Sequence, residues 1–253
     1  MSRSCVMTLI CTAITMIALS LASAPANAGA MIETRALTVA GKPRTYFVYR
    51  PAAEAAGTPQ PLLMLLHGSQ SSGRAILNEW IEVADHAGVT LLAPNATTPV
   101  GWRIREDGPD YLRAVINDLA TRSSFDRRRL YLFGVSGGAV HALTIGSIES
   151  AYFAAVAIWA GAWREQRSYL ALAHARRKIP IAFFIGDRDE FFPLDSVQET
   201  AAAFRNAGHP VQLTILPGQR HDYHRVASRL NPAAWEFLQA SELPAEPYYQ
   251  PYD

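Results

Sequence analysis

The chain has 253 residues, and its 23 lysines and arginines nearly balance 22 aspartates and glutamates. With a net charge of +1, no global field points to nucleic acid or to a membrane surface as partner. Both cysteines, Cys5 and Cys11, lie in the first dozen residues, so the rest of the chain offers no disulfide, thiol nucleophile or thiolate metal site.

The N-terminus reads as a secretory signal. Arg3 precedes an apolar run from Cys5 to Ala22, and Ala26-Asn27-Ala28 supplies a small-x-small cleavage pattern. A transmembrane anchor is the competing reading, since the run approaches the roughly 20 residues that span a bilayer. Pro25 and the cleavage pattern favour removal after Ala28. The expectation is a signal peptide over 1–28, one domain over 29–243, and a poorly ordered tail over 244–253 in the periplasm or outside the cell.

Next come Thr34–Val39 and Thr45–Tyr49, predicted strands joined by a Gly41-Lys42-Pro43 turn. Six apolar runs follow: Pro61–His67, Val89–Pro94, Leu130–Val135, Ala154–Trp159, Ile181–Gly186 and Val211–Leu216. Continuous apolarity suits strands buried on both faces of a parallel sheet. Helical periodicity fills the gaps at Ala75–Ala87, Pro109–Thr121, Gly138–Ile148, Arg164–Ala175, Ser196–Ala207 and Ala233–Ala240. The pattern predicts an α/β fold: a mostly parallel, twisted sheet of about eight strands, with helices on both faces.

Gly134-Val135-Ser136-Gly137-Gly138 matches G-x-S-x-G between a predicted strand and a predicted helix. A nucleophile on so sharp a turn needs small neighbours, and the turn aims the Gly137 amide at the space above the hydroxyl. Small residues at such turns are also common without chemistry, so the partners of Ser136 decide.

His67 ends a strand in a His-Gly pair and reads as a turn residue, whose loop offers a second amide from Ser69. His86, His141 and His174 fall in helical stretches, and His209 in a polar turn. That leaves the segment Gly218-Gln219-Arg220-His221-Asp222-Tyr223-His224, with His221 as the preferred base and His224 as its rival. The same pair, three apart, could instead hold a metal, but no clear third ligand accompanies it except nearby aspartates. Of the carboxylates after the Ile181 strand, Asp189 is preferred over Asp187, which suits the turn, and Glu190, which suits solvent. A plain surface loop is the alternative for all three. The order Ser136, Asp189, His221 is the one a nucleophile elbow imposes.

With these residues in hand, the chain resembles the α/β-hydrolase superfamily, from the Leu62–Gly68 segment to the helix ending near Gln239. It is more narrowly similar to secreted esterases of the polyhydroxybutyrate-depolymerase and feruloyl-esterase group. The shared features are His67-Gly68, Gly101-Trp102, Pro109-Asp110, Asp126-Arg127 and Ala160-Gly161. Gly186-x-x-Asp189-x-x-x-Pro193 is also similar to acyl thioesterases and dienelactone hydrolases. The resemblance implies Ser136 as nucleophile, Asp189 as acid, His221 as base, and Ser69 with Gly137 as oxyanion donors.

The expected activity is hydrolysis of a small or oligomeric ester through an acyl-enzyme, requiring no metal or organic cofactor. A peptidase or thioesterase of the same fold, or a non-catalytic binding module, is the alternative. Trp102, Trp163, Phe191, Phe192 and Tyr223 follow predicted strands and together are candidates to line the substrate pocket; each alone is more readily explained by packing beneath loops.

Overall fold

The computed structural model describes residues 31–51 and 59–249. The expected signal segment lies outside the described residues, as do the last four positions of the tail.

Eight strands form one sheet: β1 (Glu33–Val39), β2 (Lys42–Tyr49), β3 (Gln60–Leu66), β4 (Thr90–Pro94), β5 (Phe125–Val135), β6 (Ala155–Trp159), β7 (Ile181–Gly186) and β8 (Val211–Leu216). Their spatial order is β1-β2-β4-β3-β5-β6-β7-β8. β2 pairs antiparallel with β1 and β4, and the remaining pairs are parallel. Every residue of β4, β6 and β7 is buried, as strands covered on both faces must be.

The first hairpin turns one step earlier than the sequence predicts. Ala40 and Gly41 both take positive φ, 48° and 73°, the geometry of a two-residue turn matched to strand twist. Pro43 consequently falls inside β2, opposite Thr38, where β2 has not yet begun to pair with β4 and its missing N–H leaves no gap in a ladder.

The helices are α1 (Gly73–Asn78), α2 (Ile81–Ala87), α3 (Ile104–Asp107), α4 (Pro109–Ala120), α5 (Gly137–Ile148), α6 (Leu194–Asn206) and α7 (Ala227–Gln239). One helix was predicted where α1 and α2 stand. The chain breaks at Glu79-Trp80, where the fully buried Trp80 drops edge-on onto Phe133, 4.7 Å between ring centres. Trp80 occupies the face that helical periodicity assigns to it, so the pattern reads straight through the break. The predicted helix from Arg164 is a 3-10 stretch, Gln166–His174, with only Ala171 buried; it has no apolar stripe to anchor an α-helix. α7 begins six residues before its predicted start and carries Pro232 within it. The short α3 had no sequence signal.

The tail was expected to be poorly ordered, but its described part makes specific contacts. The Tyr248 amide donates to Ala151 O at 3.0 Å, and the Arg113 guanidinium lies 3.5 Å over the Tyr249 ring. Arg176 covers Tyr248 in the same way at 4.2 Å.

Candidate active site

The parallel strands end at Leu66, Pro94, Val135, Trp159, Gly186 and Leu216, and the loops beyond them meet at one edge of the sheet. β3 lies at the centre of this edge, with β4 on one side and β5 on the other, so consecutive connections leave in opposite directions and open a crevice.

Ser136 joins β5 to α5 with φ 55° and ψ −119°, a strained conformation for a non-glycine residue. Two glycines permit it. A Cβ on Gly134 would lie 2.3 Å from Gly138 O, and one on Gly138 would lie 2.1 Å from Leu66 O. The strain is held by the Ser136 amide donating to Trp159 O at 2.9 Å and by Val140 N–H donating to Ser136 O at 3.1 Å.

The β7–β8 side brings the partners. Gly186 has no room for a side chain, since a Cβ there would meet Gln219 O at 2.1 Å; the acid loop and the histidine loop touch at this point. His221 Nε2 lies 2.9 Å from Ser136 Oγ, and its Nδ1 lies 2.7 Å from Asp189 Oδ2. Asp189 Oδ1 accepts from the amides of Phe191 and Phe192 at 2.9 and 2.8 Å. Burial works against its charge. The hydrogen bonds from His221 and the two amides outweigh that effect and hold the carboxyl below its ordinary range.

The rivals are engaged elsewhere. Asp187 Oδ1 accepts from Gly218 N–H at 2.6 Å and so fixes the turn. Glu190 accepts from the His221 backbone amide at 3.3 Å and faces Arg220. His224 points away, 83% exposed, with Nδ1 2.5 Å from Glu79. The two histidines of this segment therefore do not converge on a common metal position.

Ser69 and Gly137 are neighbours: a Cβ on Gly137 would be 2.7 Å from Ser69 Oγ and 3.6 Å from Ser69 N. Gly137 opens α5, so its amide has no helical acceptor. Ser69 thus lies next to the residue that follows Ser136. His67 behaves as a turn residue: its Nδ1 meets Gly68 O at 2.8 Å, and its Nε2 accepts from Ala96 N–H at 3.1 Å.

A cleft of about 760 Å³ runs from Gly137 along α5 toward the 3-10 stretch. Of the five aromatic candidates, Trp102 and Phe192 line it. Phe191 is 58% exposed over the His221 ring, 4.8 Å between centres, and borders a neighbouring cleft. Trp163 and Tyr223 do not line this cleft, although Trp163 borders the same neighbouring cleft as Phe191. The Trp163 ring is buried against Phe204 at 4.8 Å, and Tyr223 directs its hydroxyl to Asn231 at 2.8 Å. Large apolar rings behind loops filled the core instead. The sequence reading missed Ile104, Val140, Thr144, Ala171 and Arg164 in the lining. For Val140 and Thr144 there was a signal, since three and seven residues after Gly137 share its helix face.

A model of the Dienelactone hydrolase family matches residues 90–239, more than half of the chain. NocK of Nocardia uniformis subsp. tsuyamanensis, whose name assigns it to the esterases, is 30% identical over 191 residues, which is 69% of this chain and 54% of NocK. The poly(3-hydroxybutyrate) depolymerase of Ralstonia pickettii is 32% identical over 148 residues, 49% of this chain and 30% of that enzyme. The chain thus spans about half or less of the length of these relatives. FphF, a fluorophosphonate-binding serine hydrolase of Staphylococcus aureus, has a TM-score of 0.69 at 14% identity, covering 83% of this chain and 99% of FphF. A likeness at that identity speaks to the fold alone.

Proposed function

The chain belongs to the dienelactone hydrolase family of the α/β-hydrolase fold, and from that premise we propose that it is a serine esterase. The observation that carries the proposal is the position of the His221 ring, in hydrogen-bond contact with Ser136 Oγ on one side and a buried Asp189 oxygen on the other.

In this reading Ser136 Oγ attacks the ester carbonyl carbon while His221 Nε2 takes its proton. Asp189 keeps the Nδ1 proton in place and stabilises the imidazolium. The carbonyl oxygen becomes an oxyanion facing the amides of Ser69 and Gly137. The carbon–oxygen bond to the alcohol then breaks, and the leaving oxygen takes the proton from His221. Water repeats the sequence on the acyl-enzyme: His221 accepts its proton, and the acid departs as Ser136 Oγ is re-protonated. The cleft walled by Trp102, Val140 and Phe192 receives the acyl group. If the N-terminal segment acts as a signal, the substrate is met outside the cytoplasm.

The test is a panel of p-nitrophenyl esters graded in acyl length, with feruloyl and hydroxybutyrate esters, run beside peptide anilides on wild type and Ser136→Ala. Ester turnover and fluorophosphonate labelling are expected in wild type, with both lost in the variant. Unlabelled wild type would favour a binding module, and faster anilide than ester turnover a peptidase.

A further inference from the structure

The proposed oxyanion amide of Ser69 belongs to the Gly68–Ser69 peptide, and in a trans peptide the C=O and N–H point in opposite directions. Whatever holds Gly68 O therefore aims Ser69 N–H. Gly68 O receives His67 Nδ1 at 2.8 Å and the Ser71 amide at 3.2 Å. Ala96 N–H already occupies His67 Nε2, so the ring proton must sit on Nδ1, the tautomer that donates to Gly68 O. The preceding carbonyl, His67 O, accepts from Trp102 Nε1 at 2.8 Å.

Trp102 is itself clamped. Its ring lies between two imidazoles, 5.0 Å from His67 and 5.2 Å from His141, the latter nearly parallel at 19°. Burial holds both histidines below their ordinary range, which favours their neutral rings. His141 in turn meets Asp107 O at 2.8 Å. The fully buried Asp107 carboxylate closes the loop that carries Trp102. It accepts from Thr97 N and Oγ1 at 2.8 and 2.6 Å, from Arg103 N at 2.9 Å, and from Arg44 at 2.5 Å. Loop 95–103 thus grips loop 67–71 through Ala96, through Trp102, and through Pro99 O, which accepts from Gln70 N–H at 2.6 Å.

We propose that Trp102 is a positioning residue of the oxyanion hole: its indole N–H and clamped ring hold the His67–Ser69 segment so that the Ser69 amide stays aimed beside Gly137. This rests on the acyl-transfer reading above and deepens it. Because Trp102 also walls the cleft, the acyl group of a substrate lies against the same ring that sets the oxyanion geometry.

The experiment compares Trp102→Phe with wild type on p-nitrophenyl butyrate, with Ser136→Ala alongside. Phenylalanine keeps an aromatic wall and lacks the donor. The expected result is a fall in kcat of about tenfold or more, with KM within about twofold, since removing a whole oxyanion donor typically lowers kcat by about a hundredfold. In ¹⁵N-labelled resting protein, the Ser69 amide signal is expected to move in the variant. A kcat within twofold of wild type, an unmoved Ser69 signal, or a change confined to KM would overturn the role. Thr97→Val keeps side-chain volume and loosens the same loop, so it is expected to lower kcat in the same direction by a smaller factor. It serves as the deciding variant if Trp102→Phe does not fold, and unchanged kcat there counts against the proposal. Undiminished activity in Ser136→Ala would instead sink the acyl-transfer reading, a separate failure.

Discussion

Asp189 presents one oxygen to His221 Nδ1 at 2.7 Å, while its other oxygen is already filled by the amides of Phe191 and Phe192. That division of labour makes Asp189→Asn informative. The two amides would keep the asparagine carbonyl, which turns its NH₂ toward Nδ1 and forces the ring proton onto Nε2. An imidazole of that tautomer cannot accept the Ser136 proton. The expected outcome is a loss of kcat of about a thousandfold or more at neutral pH, with KM little changed, measured by steady-state kinetics on a p-nitrophenyl ester.

The two histidines of the Gly218–His224 segment separate cleanly. His221→Ala is expected to lower kcat by about a thousandfold or more. His224→Ala is expected to stay within about threefold of wild type, because that ring is exposed and paired with Glu79 away from Ser136. Comparable losses in both variants would contradict the assignment of the base.

His141 supplies a pH dependence of stability. Burial lowers its pKa to about 4 from 6.5. The unfolded chain therefore binds the proton first as pH falls, and stability drops between about pH 6.5 and 4, by on the order of 3 kcal/mol from this group. Chemical denaturation across that window is expected to show the slope in wild type and a flatter one in His141→Gln, whose side chain stays neutral throughout.

Two glycine substitutions are expected to differ sharply. Gly138→Ala drives a Cβ to 2.1 Å from Leu66 O, a backbone atom that cannot step aside, and is expected to lower stability by about 3 kcal/mol or more. Gly218→Ala, at φ 71° with open space around it, meets only the left-handed backbone penalty of about 1 to 2 kcal/mol. Thermal melts of the two variants provide the check.

Much of the architecture was legible because its signals are local. Two strands, β6 and β7, are continuous apolar runs buried at every position, and β4 departs from that only at the buried Thr90, so composition alone marks them. The break at Glu79-Trp80 was not legible, because Trp80 lies on the expected helix face on either side of it. Neither was the 3-10 character of Gln166–His174, which reflects how little of that stretch finds a core to pack on.

For the site, the residues themselves determined the cast: a serine among glycines, and a carboxylate and a histidine after later strands, in an order the fold accommodates. Folding decided which members meet. Gly186 lets the β7 and β8 loops touch, Asp187 and Glu190 are taken up by neighbouring amides, and Glu79 draws His224 outward. The aromatic lining followed the same rule. Trp163 and Tyr223 satisfy the loop pattern as well as Trp102 does, but packing kept both out of the cleft beside Gly137, and Trp163 borders the neighbouring one instead. Side-chain identity is written residue by residue along the chain, whereas direction and partnership depend on atoms brought close from far along it.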